Sequence, residues 1–403
     1  MKADVENICE KKECTMCGAC SNICPRNCLK AQYDHNSWYM VRDMKKCIAC
    51  GLCERVCPNL NMIVKNCPEH AYAAWNTNDK TRCTSASGGV AAALYQYAKN
   101  NNMFFAGVLM NEIFEAHYYL TNDLSFLQEF QNSKYTYSFM DDIYIQIQEK
   151  LQMGNGVLFV GLPCQVAALK TYLITTKTKI DKLILVDIIC HGTPIPSYIK
   201  DHIAAIQKES GRNYDKCFFR DPKYKTSNFV FTLYENSSEK EAYKKNVEST
   251  DLYQIGYHNG WIYRECCYQC HYAETRRVGD ITIGDYHGLG KMGKYTADQE
   301  NVSVVFSNTQ KGYEILNNLL LEKLIVLHER PVEEPILYEP QLNHPSVGGK
   351  KHSELVEAYE LKGDFEKAAA IVFRYKVKKN QIKSFLHVKR IKSFIRQVLS
   401  NEC

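Results

Sequence analysis

Eight cysteines near the N-terminus repeat one spacing twice, and this spacing is typical of iron-sulfur ligands. Each copy reads Cys-x2-Cys-x2-Cys-x3-Cys-Pro, a run in which three thiolates hold one cubane cluster and the fourth reaches across to the other. The spacing predicts two [4Fe-4S] clusters. The predicted ligands are Cys14, Cys17, Cys20 and Cys57 for the first cluster, and Cys47, Cys50, Cys53 and Cys24 for the second.

Two other chemistries fit this duplicated motif less well. Zinc sites usually use pairs of Cys-x2-Cys, so a third cysteine two residues further on would be superfluous. Dense disulfides suit small secreted domains, and no signal peptide precedes the cysteines. Gly18 and Gly51 follow the second cysteine of each copy, where we expect a Cβ to crowd the backbone. The motif therefore indicates one-electron transfer.

Four further cysteines lie in the middle of the chain, where packing does not require cysteine. Cys164 and Cys190 each directly follow a predicted buried strand, and Cys267 and Cys270 form a Cys-x2-Cys pair. Residues that follow neighbouring parallel strands meet at one edge of the sheet. We predict a third [4Fe-4S] cluster on these four thiols, with Cys266 as the alternative to Cys267. The competing interpretation is that Cys164 and Cys190 are two buried, inert cysteines.

Two glycine-rich segments indicate a nucleotide-like ligand. Ser87, Gly88 and Gly89 open a predicted helix and leave backbone N–H groups free, where a pyrophosphate can bind. The same residue types are also good N-caps for structural reasons alone. Further along, a predicted strand ends at Asp285 and Tyr286, an acid and an aromatic residue suited to a ring-shaped ligand. A flavin dinucleotide would match both segments.

Together these motifs resemble the coenzyme F-420 hydrogenase/dehydrogenase beta-subunit family, which includes the plant 7-hydroxymethyl chlorophyll a reductase. The resemblance covers most of residues 10–345. The motifs that carry it are the Ser-Gly-Gly turn, Gly-x-Pro-Cys-Gln at Cys164, Asp-x-x-Cys-His-Gly at Cys190, the Cys267 to Cys270 pair, and Gly-Asp-Ile-Thr-Ile-Gly-Asp-Tyr ending at Tyr286.

The resemblance implies an FAD in the middle domain and a cluster close to it. Ser87, Gly88, Gly89 and Asp285 are the implied flavin neighbours, and Cys164, Cys190, Cys267 and Cys270 the implied ligands of the nearby cluster. A flavin beside a cluster converts hydride transfer into single-electron transfer. His191 and His287 are candidate proton relays, or else hydrogen-bond within turns.

The 403 residues exceed the size at which one core stops growing, so we expect more than one domain. We predict a small α+β dicluster ferredoxin domain (1–70), an α/β domain with a mixed or mainly parallel sheet (71–345), and a helical basic tail (346–403). Residues 251–277 read as an irregular loop insertion. The apolar runs that predict strands are 104–110, 157–162, 183–189 and 302–306, and the helical patterns are 89–99, 165–173, 197–208 and 312–321.

The basic tail is the one strongly charged region. Nine Lys and Arg residues and no acid lie between Arg374 and Arg396, and apolar residues from Phe385 to Leu399 recur at helical spacing. Such a helix can contact a membrane surface peripherally, dock an acidic redox partner, or pack as an ordinary terminal helix. The net charge of +5 is too small and spread to indicate nucleic acid. Nineteen cysteines without a secretory signal predict a cytoplasmic location.

These motifs predict an FAD-dependent iron-sulfur oxidoreductase. It would pass electrons between a ferredoxin-type carrier protein, or a redox partner subunit, and a small-molecule substrate that exchanges two electrons as hydride. Two alternatives are a non-catalytic electron-transfer subunit of a larger complex and an accessory protein of a polysaccharide-synthesis pathway. Bound flavin separates the first hypothesis from the last, and substrate reduction by the isolated chain separates it from the second.

Overall fold

The computed structural model describes residues 5–34, 37–235, 240–247 and 249–385. Within them, the N-terminal module is α+β, with a three-stranded antiparallel sheet in the order β1-β3-β2 and two short helices. Its elements are β1 (Val5–Asn7), α1 (Ala19–Ile23), β2 (Leu29–Asp34), β3 (Ser37–Asp43) and α2 (Leu52–Arg55).

The duplicated cysteine motif folds as a structural repeat. α1 and α2 each follow a left-handed glycine, Gly18 with φ 78° and Gly51 with φ 70°. The expectation that a Cβ would crowd the backbone is wrong, because a Cβ on Gly51 would meet nothing within 4 Å. The left-handed φ is what favours glycine here. Met16 and Ala49 hold equivalent places in the two copies, and both have φ 56°.

Within the described residues, the body of the chain is a mixed nine-stranded sheet in the order β15-β4-β14-β13-β9-β8-β5-β6-β7. Strands β10 to β12 form a separate antiparallel sheet. The four central strands β13, β9, β8 and β5 run parallel. The strands are β4 (His70–Asn76), β5 (Phe104–Met110), β6 (Ala116–Thr121), β7 (Ser138–Phe139), β8 (Val157–Gly161), β9 (Leu183–Ile188), β10 (Lys216–Phe218), β11 (Phe231–Tyr234), β12 (Glu241–Lys245), β13 (Ile281–Asp285), β14 (Ser303–Ser307) and β15 (Ile325–Arg330).

Helices cover the sheet and continue to the end of the described chain. They are α3 (Asp79–Thr84), α4 (Val90–Asn100), α5 (Leu127–Phe130), α6 (Ile143–Gln152), α7 (Pro163–Thr175), α8 (Pro196–Ser210), α9 (Leu252–His258), α10 (Gln310–Leu321), α11 (Glu333–Tyr338), α12 (Gly349–Lys362), α13 (Phe365–Val372) and α14 (Arg374–Phe385). The mixed α/β fold class is confirmed, and so are the four predicted strands and four predicted helices. The domain boundaries stay a prediction.

The expectation of an irregular segment over residues 251–277 is wrong at its start. Asp251 caps α9, because its side chain accepts a hydrogen bond from the Gln254 backbone N–H at 2.8 Å. In the described part of the chain, no helix is long and apolar enough to cross a bilayer. The apolar half of the basic tail, after Phe385, lies outside the described residues.

The N-terminal module packs directly on the α/β body. Its buried Met16, Ala19 and Val56 belong to the same apolar core as residues of α6 and α7. The Tyr144 hydroxyl on α6 donates to the Cys17 carbonyl oxygen at 2.6 Å, and the Tyr137 hydroxyl donates to the Met16 carbonyl oxygen. The first cysteine motif is therefore fixed against the body.

Candidate iron-sulfur and flavin sites

One cavity in the N-terminal module gathers the cysteines predicted to hold the second cluster. Cys24, Cys47, Cys50 and Cys53 all line it. Cys53 is buried whereas Cys50 is exposed. The Ala49 backbone N–H donates to the Cys47 Sγ at 3.3 Å. The structure thus brings Cys24 of the first motif to the three cysteines of the second.

The cysteines predicted for the first cluster also lie together. Burial raises the pKa of the Cys20 thiol well above its usual value, and the neighbouring Cys17, Cys14 and Cys57 raise it further. Among the described residues, no group of three or more His, Cys, Asp or Glu side chains converges as the ligands of a single metal ion would. The ligands of a single metal ion must converge on one point, whereas the four thiolates of a cubane each bind a different iron atom.

A third cavity lies at the edge of the large sheet. The four predicted ligands line it: Cys164, Cys190, Cys267 and Cys270. The Thr193 backbone N–H donates to the Cys267 Sγ at 3.5 Å, and that of Tyr272 donates to the Cys270 Sγ at 3.4 Å. Hydrogen bonds to sulfur are among the contacts by which a protein tunes a cluster. This donor set therefore fits a [4Fe-4S] cluster.

Cys266 lines the same cavity as Cys267. The Cys266 thiol donates to the Cys267 sulfur, and this hydrogen bond lowers the pKa of Cys267 to about 5, with a further contribution from the charge of Arg264. The same hydrogen bond, together with burial, raises the pKa of Cys266. Cys267 stays the predicted ligand, with Cys266 as the alternative, and the hydrogen bond from the Thr193 backbone N–H reaches the sulfur of Cys267.

Arg264 connects the first cysteine motif to the third cavity. This buried side chain donates from Nη1 to the Thr15 carbonyl oxygen at 2.8 Å and from Nε to the Thr193 Oγ1 at 3.1 Å. Its guanidinium lies 4.7 Å from the centroid of the Tyr137 ring. Arg264 was not predicted from the sequence, although its place two residues before Cys266 was a usable signal.

A larger cleft, about 1930 Å³ with its open mouth, adjoins the third cavity. Ser87, Gly89 and Asp285 line it, as does the start of α4 at Val90. Gly89 is the N-cap of α4 and has φ 79°. Because glycine has no side chain, it cannot accept a hydrogen bond from the first backbone N–H groups of α4, which lie at the cleft. The cleft and the third cavity share the wall residues Leu162, Cys190, His191, Gly192 and Thr193.

Gly88, unlike Ser87 and Gly89, does not line the cleft. A Cβ on Gly88 would lie 2.4 Å from the Ala74 carbonyl oxygen and 2.8 Å from the Ser303 backbone nitrogen. Its N–H donates to the Ser303 Oγ at 2.9 Å, and the Ser87 hydroxyl donates to the Val302 carbonyl oxygen at 3.0 Å. Close approach to β4 and β14 therefore explains Gly88, while Ser87 and Gly89 face the cleft.

Asp285 ends β13 at the cleft, where a buried arginine holds it. Arg220 Nη1 donates to the Asp285 Oδ2 at 2.8 Å, and Arg220 Nε donates to the Thr226 carbonyl oxygen at 2.9 Å. The guanidinium lies 4.2 Å from the centroid of the Phe229 ring. Arg220 and Phe229 also line the cleft, so a fixed cation and an aromatic face are available to a ligand.

His191 and His287 flank a buried carboxylate that the sequence did not reveal. The Nε2 atoms of His191 and His287 lie 3.3 Å and 3.4 Å from the two carboxylate oxygens of Glu339. Burial raises the pKa of Glu339, but the hydrogen bond and charge of His191 outweigh burial, so this pKa is lowered overall. All three side chains line the cleft. Glu339 is far from both histidines in sequence, and no motif marks it.

The chain was compared with curated proteins, solved structures and family models. No curated protein matches the chain. Among solved structures, the xenon-derivatised F420-reducing [NiFe] hydrogenase complex from Methanosarcina barkeri matches at 16% identity, over 80% of this chain and 94% of that chain. Its TM-score is 0.45, and we draw no functional conclusion from it.

Two family models match the chain, and they fall on the two groups of cysteines. Residues 13–60 match the 4Fe-4S dicluster domain, and residues 154–333 match the model for the C terminus of the beta subunit of coenzyme F420 hydrogenase/dehydrogenase. The second range contains Cys164, Cys190, Cys267 and Cys270. The chain therefore joins a 4Fe-4S dicluster domain to a domain of the coenzyme F420 hydrogenase/dehydrogenase beta-subunit family.

Proposed function

We propose that this protein is an FAD-dependent iron-sulfur oxidoreductase, which exchanges electrons between a one-electron carrier protein and an organic substrate that reacts by hydride transfer. The observation that carries the proposal is the wall shared by the cleft and the four-cysteine cavity, to which Cys190 belongs. A ligand in the cleft would lie directly beside a cluster on Cys164, Cys190, Cys267 and Cys270.

The residues of the cleft suit FAD. The start of α4 offers backbone N–H groups and the positive end of a helix dipole to a pyrophosphate. Arg220 adds a buried cation, and Phe229 adds an aromatic face. Bound FAD would exchange a hydride with the substrate and single electrons with the clusters. His191 and His287, held by Glu339, lie where they could carry a proton to or from a bound ligand.

The cysteine sites form a series from the surface to the cleft. Cys50, at the second cavity, is the exposed member of the twelve predicted ligands. Buried Cys53 of that cavity is among the neighbours that affect the pKa of Cys20 in the first group. Thr15, beside the first group, lines the third cavity, whose wall continues into the cleft. This series supports electron transfer from a carrier at the surface to a flavin.

Filling the cleft should expel the flavin and leave the clusters in place. Ala86 lines the cleft, and replacing it by tryptophan overfills the space beside the start of α4. Overpacking of this kind costs about 1–3 kcal/mol, so we expect bound FAD in Ala86→Trp to fall roughly tenfold or more. The measurement is acid release of flavin from anaerobically purified protein, identified by mass spectrometry and expressed per chain.

A matched control is Ala204→Trp, because Ala204 is an exposed residue of α8. It should retain about one FAD per chain, and both variants should keep the iron content of the unmodified protein. If the unmodified protein carried its full iron content but no FAD, the proposed flavin chemistry would be wrong. The result would then favour a non-catalytic electron-transfer subunit.

The surface around Cys50 is basic and should bind an acidic carrier. Lys46 and Arg55 are exposed, and Arg55 Nη2 donates to the Cys50 carbonyl oxygen at 3.5 Å. The exposed side chain of Ile48 lies at the same surface, where it lines the second cavity. Charge complementarity of this kind mainly accelerates encounter and weakens as salt rises. We therefore expect an acidic ferredoxin-type protein to deliver electrons here.

The double variant Lys46→Glu/Arg55→Glu should reduce the rate of cluster reduction by an acidic ferredoxin about tenfold at low salt. Stopped-flow absorbance measures this rate, and the difference from the unmodified protein should shrink at high salt. Reduction by dithionite should be unchanged. Lys208→Glu, an exposed charge reversal on α8, is the control. An equal effect of Lys208→Glu would show that net charge, and not this surface, governs the rate.

A further inference from the structure

The cavity of the second cluster is lined by five cysteines, one more than a cubane needs. The fifth is Cys28, which lies outside both cysteine motifs. Cys28 is only 4% exposed, and its Sγ lies 3.4 Å from the Sγ of Cys24. Cys24 is the ligand that the duplicated motif predicts. Two thiols therefore lie side by side at one corner of the same cavity.

A tight turn places Cys28 beside Cys24. The Asn27 backbone N–H donates to the Cys24 carbonyl oxygen at 3.3 Å, and Asn27 has φ 46°, in the left-handed region that asparagine tolerates. The Asp43 backbone N–H then donates to the Cys28 carbonyl oxygen at 2.8 Å, which fixes Cys28 where β2 begins beside the end of β3. Backbone hydrogen bonds on both sides thus hold Cys28 beside Cys24.

The surroundings of Cys28 differ from those of an inert core cysteine. A structural cysteine typically packs as a small apolar side chain. Cys28 instead lies with its Sγ 3.4 Å from the Sγ of Cys24, and Cys47 lines the same cavity. A thiol that faces the metal side of the cavity, within 3.4 Å of a ligand sulfur, is close enough to bind the same iron atom after a small side-chain rotation.

We propose that Cys28 is a reserve ligand of the second [4Fe-4S] cluster, able to replace Cys24. In the exchange, the iron bond to the Cys24 sulfur breaks, the iron bond to the Cys28 sulfur forms, and one proton passes from the Cys28 thiol to the Cys24 thiolate. Atoms and charge balance without an oxidant or reductant. This role of Cys28 involves the dicluster domain alone and does not depend on flavin binding.

The test compares alanine variants, because alanine offers iron no ligand. Each variant is purified anaerobically as the full chain, and iron and acid-labile sulfide are measured per chain. Cys24→Ala and Cys28→Ala should each retain the iron content of the unmodified protein. The double variant Cys24→Ala/Cys28→Ala should lose about four iron atoms, the content of one cubane.

Cys53→Ala is the matched control, because Cys53 lines the same cavity but lies against Arg42, whose Nη1 is 3.6 Å from its Sγ. It should lose about four iron atoms, as expected for a ligand without a reserve. Loss of this amount from Cys24→Ala alone, or from Cys28→Ala alone, would overturn the proposal. Full iron content in Cys53→Ala would overturn the proposal too, because the cluster would then survive the loss of a ligand that Cys28 does not replace. Circular dichroism identifies any variant that is unfolded, and electron paramagnetic resonance of the reduced protein shows directly whether one or two N-terminal clusters are present.

Discussion

Cys190→Ala is expected to lose about four iron atoms per chain and to slow electron transfer between the N-terminal module and the proposed flavin by about 10- to 100-fold. Cys190 lines both the four-cysteine cavity and the cleft, so its loss removes a proposed ligand at the junction of the two. Iron analysis measures the first effect. Stopped-flow reduction of the flavin by a reduced ferredoxin measures the second.

Cys217→Ala is the control for this experiment, because Cys217 is a cysteine of β10 outside the sites that gather the proposed ligands. Burial raises the pKa of its thiol to about 12, and Cys217 lines neither the cavity of the second cluster nor the third cavity. We expect unchanged iron and an unchanged rate. Full iron retention in Cys190→Ala would contradict the proposed third cluster, whereas iron loss with an unchanged flavin reduction rate would place that cluster off the electron path.

The sequence was a good guide to elements whose signal is local. The uninterrupted apolar run at 104–110 became β5 (Phe104–Met110), because strands covered on both faces need no alternation of polar and apolar residues. The helix after Gly89 was equally clear from its small and apolar residues. By contrast, α9 was missed because its aromatic residues obscured the helical period, and only the Asp251 cap marked its start.

The candidate site was predictable only where its residues form motifs. The convergence of Cys164 and Cys190 followed from two parallel strands that end at one edge. Nothing local could place Glu339 between His191 and His287, since that contact depends on how the segment after α11 folds back over the sheet. The pairing of Arg220 with Asp285 was equally invisible, because it joins two elements distant in sequence.

A buried ion pair underlies the sheet edge that carries the third cavity. Asp187 of β9 and Arg277 are 0% and 2% exposed in their side chains, and Arg277 Nη2 donates to the Asp187 Oδ1 at 2.8 Å. Asp187 also accepts from the Val278 and Gly279 backbone N–H groups at 3.0 and 2.9 Å, and from the Thr282 hydroxyl at 2.7 Å. This carboxylate thus joins β9, which leads to Cys190, to β13, which ends at Asp285.

Asp187→Asn should therefore lower the free energy of unfolding by about 3–5 kcal/mol, because it leaves the Arg277 charge buried without its counterion. The amide is nearly the same size as the carboxylate, so the loss reports charge and hydrogen bonding and not a cavity. The shift of the urea midpoint, multiplied by the slope of the transition, measures it. The control is Glu300→Gln, which breaks the exposed pair with Lys225 at 3.4 Å and should cost less than about 1 kcal/mol. Equal losses in the two variants would mean that burial of the Asp187–Arg277 pair does not set the stability of this edge, and that the positions of Cys190 and Asp285 rest on apolar packing of the strands alone.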